Sequence, residues 1–135
     1  FVPRKRVAEI KNTVCDKTYR VDVSVFGEDS IESLKKGAQR LTGTVIEQRT
    51  PMRVSHRRAD LVRPRLINSI DVTSFEGNMA ELIIRAQHGT YIRELVSGDE
   101  GRTNPSFSSL VDATCKVEVL DVLHLHLDAK EEKNV

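Results

Sequence analysis

Two arginine-bearing stretches hold most of the chemistry that this sequence of 135 residues can offer. The first is HGTYIRELVSGDEGRTNPS, His88 to Ser106, in which Arg93 falls at the start of a predicted helix. An arginine there faces the positive end of the helix dipole, so the helix itself does not favour it. A carboxylate in a substrate site or a phosphate would hold it. The plain alternative is a surface pair with Glu94 or Glu100, and on these residues alone that alternative is the stronger. The second stretch is RTPMRVSHRRADLVRPR, where Arg49, Arg53, Arg57, Arg58, Arg63 and Arg65, with His56 among them, stand against a single acid, Asp60. The planar guanidinium fork suits bidentate phosphate contacts and stacking on bases. Pro51 and Pro64 make this an irregular excursion and not a helix. One carboxylate cannot neutralise six arginines, so we expect a nucleic-acid contact in place of a self-paired loop.

The whole chain carries a net charge of only +1, so the basic charge is concentrated and the remainder is net acidic. The length fits one compact domain with its own core. No apolar run is long enough for a membrane span, and FVPRKR lacks the apolar stretch of a secretion signal, so we expect a cytoplasmic protein that does not engage a membrane. Cys15 and Cys115 show neither CxxC spacing nor a nearby histidine pair, which gives no basis for a disulfide or a zinc site. His124 and His126 alternate with leucines and lack a third ligand, so they read as a polar strand face; neither a metal nor a cofactor is expected.

The elements that must position the two stretches follow from periodicity. Thr18 to Phe26 is rich in β-branched and aromatic residues, with Tyr19, Val21, Val23 and Val25 on one face of a strand. Asp29 and Glu32 have capping-box spacing, and Ile31, Leu34, Ala38 and Leu41 recur as a helix stripe that Gly43 ends. Thr44 to Arg49 is a short strand entering the basic excursion, which we place at about residues 47–65. Leu66 to Glu76 and Met79 to Gln87 read as antiparallel strands joined at Gly77 and Asn78. The second strand delivers the chain to a helix over Thr90 to Ser97, and a further helical turn is expected at Ser106 to Leu110. Ala113 to Leu127 alternates as a long strand, and residues 128–135 form a polar tail. The predicted class is α+β, a mostly antiparallel sheet with covering helices and a pocket at the strand ends.

Three segments carry a family resemblance: DKTYRVDVSVFG at Asp16 to Gly27, the run from Ser33 to Ile67 with TPMRVSHRR, and GTYIRELVSGDEGRTNPSFSSL at Gly89 to Leu110. The first and last resemble tRNA pseudouridine synthases of the TruB branch. The TP-x-RV-x-HRR and GDEGRTNPS runs are more similar to the archaeal and eukaryotic pseudouridylate synthase 10 family, which modifies T-arm uridines of tRNA. The resemblance implies that residues 1–127 are the C-terminal portion of a catalytic domain. It also implies residue roles. Tyr19 would stack on the target base and take part in proton transfer, and Arg93 would pair with a catalytic aspartate. Ile92 would lie against the nucleotide, and Leu120, with Leu110 as second candidate, would pack under the uracil. Arg49, Arg53, His56, Arg57, Arg58, Arg63 and Arg65 would form an RNA-gripping loop. For Tyr19 and both leucines, simple core packing is the competing reading.

The family chemistry breaks the uridine N-glycosidic bond, turns the base and rejoins it through carbon, using an aspartate carboxylate and no external cofactor. The motif that carries this aspartate lies N-terminal to the KTYR strand in the family, and nothing before Asp16 resembles it. The abrupt start at Phe1 agrees, so we expect a piece separated from its nucleophile and inactive alone, with the missing upstream part as a partner. The alternative is a non-catalytic RNA-binding module on a degenerate synthase fold. A DNA-binding domain has less support, because the arginines lie in an excursion and not along a recognition helix.

Overall fold

A computed structural model describes residues 15–27, 30–54, 56, 59–111 and 113–126. Its elements are β1 (Asp16–Phe26), α1 (Ile31–Leu41), β2 (Thr44–Arg49), β3 (Val62–Glu76), β4 (Met79–Ala86), α2 (Ile92–Ser97), β5 (Thr103–Asn104), α3 (Phe107–Val111) and β6 (Thr114–His126). One antiparallel sheet runs in the order β5-β2-β3-β4-β1-β6. The α+β class expected from element order is what the chain adopts.

The core lies between one face of this sheet and the three helices. Tyr19, Val21, Val23 and Val25 project into it from β1, as their alternation requires, and meet Ala80, Leu82 and Ile84 of β4. Leu34, Ala38 and Leu41 of α1 cover them, with Leu95 and Val96 of α2 and Phe107 and Val111 of α3. The other β1 face carries Arg20, which ion-pairs with Asp22, Glu81 and Asp121.

Several element ends differ from the sequence expectation, and three differences have a visible cause. Helix α1 is capped by Ser30, whose hydroxyl accepts from the Ser33 amide at 3.2 Å; Asp29 lies outside the described residues. Strand β3 begins at Val62 and contains Pro64, so the irregular excursion is shorter than expected. Pro64 is tolerated because β3 pairs with β4 only from Ile67 onward, leaving β2 as its one neighbour there. Helix α2 starts at Ile92 and not Thr90, because the Tyr91 amide is held by the Gln48 side chain at 2.8 Å. The polar tail and Leu127 lie outside the described residues.

Candidate functional site

Strand β6 carries Leu120, pairs with the strand that carries Tyr19 and is touched by Arg93. Tyr19 stands opposite Val122 on β6, Val21 opposite Leu120 and Val23 opposite Val117. Paired residues share a face, so Val117, Leu120 and Val122 all belong to the helix side of the sheet. Val117 and Leu120 are an odd number of residues apart, and the irregularity between Asp22 and Val23 re-phases the pairing so that both can do so. Val117 is buried, but Val122 is 55% exposed. The helix layer therefore ends along β6, and an open rim begins there.

Arg93 sits at that rim. It is the second residue of α2 and exposed, and its Nη1 donates to the Val117 carbonyl at 3.3 Å. No described carboxylate ion-pairs with it. Glu94, one of its two expected local partners on the plain reading, instead accepts from Nε and Nη2 of Arg53, at 2.8 and 3.2 Å. Tyr19 is 8% exposed at the edge of the core. Burial raises its phenol above the ordinary tyrosine value, with a smaller contribution from Cys15, so it is neutral at physiological pH. Ile92 is buried in the core, while Leu120 and Leu110 are partly buried against it. Leu120 lies between the Val117 and Val122 positions on β6, whereas Leu110 lies on α3. Along β6 the order is thus Val117, whose carbonyl takes Arg93, then Leu120, then Val122 opposite Tyr19, with no hydrogen bond between Arg93 and Tyr19.

The basic stretch is clamped to the second motif. Arg49 grips Asp60 through Nε at 2.9 Å and Nη2 at 2.6 Å. Arg102 donates twice to the Thr50 carbonyl, at 2.9 and 2.7 Å, and once to Asp60 at 2.9 Å. Asp99 accepts from the Met52 amide at 3.0 Å. The guanidinium of Arg53 also lies 5.8 Å from the centroid of the Tyr91 ring, within cation–π reach. Arg49 and Arg53 are therefore already engaged within the fold. Arg63 and His56 are exposed, and Arg65 lies with its guanidinium against Gly89, whose φ of +85° and lack of a Cβ leave room for it. Arg57 and Arg58 fall outside the described residues. An open cleft of about 360 Å³ lies beside this clamp, lined by Glu47, Arg49, Val62, Glu100, Gly101, Arg102 and Asn104.

Sequence reasoning missed Gln48. It is 4% exposed, and its amide donates to the Tyr91 carbonyl and to Thr103 Oγ1 while accepting from the Tyr91 amide. Its signal was present: Gln48 follows Ile46 on the inward face of a strand, where an unpaired amide would be costly. Among the described residues no cluster of His, Cys, Asp or Glu could hold a metal ion, and no helix is long and apolar enough to cross a membrane.

The fold is similar to chains in the crystal structure of a Cbf5-Nop10-Gar1 complex, with a TM-score of 0.67 at 20% identity over 82% of this chain and 30% of that one. It is also similar to a chain in the structure of an H/ACA RNP bound to a substrate RNA containing 2'-deoxyuridine, with a TM-score of 0.64 at 13% identity over 97% of this chain and 40% of that one. In sequence, the chain is 45% identical over 125 residues to the tRNA pseudouridine synthase Pus10 of Methanothrix thermoacetophila, covering 91% of this chain and 27% of the relative. It is 44% identical over 126 residues to the protein of the same name from Methanocaldococcus jannaschii, covering 93% and 28%. The chain thus spans little more than a quarter of the length of these relatives. The family model described as Pus10, C-terminal, matches residues 1–126, and the chain belongs to that family.

Proposed function

We propose that this chain is the part of a tRNA pseudouridine synthase that receives the target uridine, and that the catalytic carboxylate comes from outside it. The carrying observation is Arg93: a guanidinium at the open rim of β6, bonded to one backbone carbonyl and paired with no described carboxylate. A cation so placed can fix an incoming aspartate as its anion. The curated relatives are named tRNA pseudouridine synthases, which supports uridine in tRNA as the substrate, and the TPMRVSHRR resemblance supports the T-arm.

In this reading the carboxylate drives cleavage of the bond between the ribose C1′ and N1. The freed base turns, C1′ joins C5, the proton on C5 leaves and N1 gains one, so atoms balance without a cofactor. The Tyr19 phenol, kept neutral by burial, offers a flat face and a proton-transferring hydroxyl at the rim. Leu120 supplies an apolar surface there, with Leu110 as the second candidate and Ile92 beneath. The target must leave its stack to reach this rim. Arg57, Arg58 and His56 within the excursion, with Arg49, Arg53, Arg63 and Arg65 beside it, would hold the RNA backbone meanwhile.

Replacing Arg93 separates the roles. In the full-length protein, Arg93→Ala should lower pseudouridine formation in an unmodified tRNA transcript by about 100-fold or more, on the order of one lost charge-stabilising contact. Binding of the same transcript should be unchanged. A variant that converts uridine at the normal rate would remove Arg93 from the site.

A further inference from the structure

We propose that the turn Gly98–Arg102, acting with Asp60, is a positioning device that sets where the basic excursion meets RNA; this rests on the RNA-binding reading above. Arg102 has a side chain only 15% exposed, against 48% for Arg49. It bonds the backbone of the excursion at Thr50 and the carboxylate of Asp60, while its own carbonyl accepts from the Arg49 amide at 2.7 Å. Asp99 holds the next turn through the Met52 amide. The bonds therefore fix both strands of the excursion near its base: Thr50 and Met52 where it leaves β2, Asp60 where it returns to β3.

The turn adopts a costly backbone to do so. Asp99 and Glu100 have φ of +46° and +54°, flanked by Gly98 at +88° and Gly101 at +90°. Two successive non-glycine residues in the left-handed region persist where surrounding contacts over-determine them. Here those contacts are the ones that seize the excursion.

Asp60 makes the idea testable because charge and positioning predict opposite signs. Asp60 is the acid between Arg49 and Arg102, and its carboxyl is held below the ordinary range, chiefly by the hydrogen bond from Arg49. If it merely neutralises arginines, Asp60→Asn frees positive charge, tightens tRNA binding and steepens its salt dependence. If it positions the excursion, the same variant weakens binding despite the added charge.

The experiment measures Kd and kcat of full-length wild type, Asp60→Asn and Asp60→Glu on an unmodified tRNA transcript, with melting temperatures as a check on folding. The positioning role predicts a roughly tenfold weaker Kd for Asp60→Asn, unchanged kcat at saturating tRNA, and recovery in Asp60→Glu, the size expected of a small displacement of a binding element. Equal or tighter binding by Asp60→Asn overturns it, as does failure of Asp60→Glu to recover. A wild type that binds and converts tRNA while Asp60→Asn binds equally well sinks the positioning role alone. A wild type that neither binds nor converts tRNA sinks the functional reading with it.

Discussion

Arg53 and Arg93 flank one buried carboxylate, and their different fates show how single residues divide the work. Glu94 is 6% exposed and takes Arg53, which ties the excursion to α2 and leaves the Arg93 side chain to reach across to β6. Sequence alone named Arg93 as a residue needing a partner but could not choose among the acids near it, because spacing along a six-residue helix does not say which carboxylate is turned inward. Tyr19 was legible from strict alternation, and its burial carries a pH consequence. A group whose pKa is raised on folding contributes stability that is fully present below its unfolded value and is lost as pH rises through the folded one. Wild-type protein should therefore lose stability above about pH 10, the ordinary tyrosine value, and Tyr19→Phe should lack that component of the loss. Urea unfolding at neutral and alkaline pH reads the difference; identical alkaline slopes would place Tyr19 in water.

At the scale of elements, most of the fold could be read from apolar period. The β1 alternation and the α1 stripe at Ile31, Leu34, Ala38 and Leu41 form the two sides of one core. What escaped was decided by tertiary neighbours: Pro64 enters β3 because its second flank has no strand, and α2 starts late because Gln48 occupies the Tyr91 backbone. Gly37 was equally silent in sequence, yet it sets how closely α1 meets α3. A Cβ there would overlap Cγ1 of Val111, which is buried. Alanine gains about 1 kcal/mol of helix propensity. Overpacking a tight core contact costs about 1–3 kcal/mol, so Gly37→Ala should lower stability by up to about 2 kcal/mol despite the better helix former. A raised melting temperature would show that the helices separate freely.

The described residues form a sheet with a helix layer that covers only the first part of its last strand, β6. Val119, Val122, Leu123 and Leu125 of β6 are exposed among the described residues, on the strand whose Val117 carbonyl takes Arg93. The resemblance in sequence anticipated this class, since its motifs follow the chain in the family's order. It did not reveal the clamp between TPMR and GDEGR, because contacts between residues some fifty positions apart leave no local periodicity. The central claim is that this chain offers the uridine-receiving surface and needs a carboxylate from beyond it. The most direct test is pseudouridine formation in an unmodified tRNA transcript, with this chain alone and with the full-length protein. Our account predicts conversion by the full-length protein and none by the chain alone; conversion by the chain alone would mean that one of its own aspartates is the nucleophile and would contradict the account.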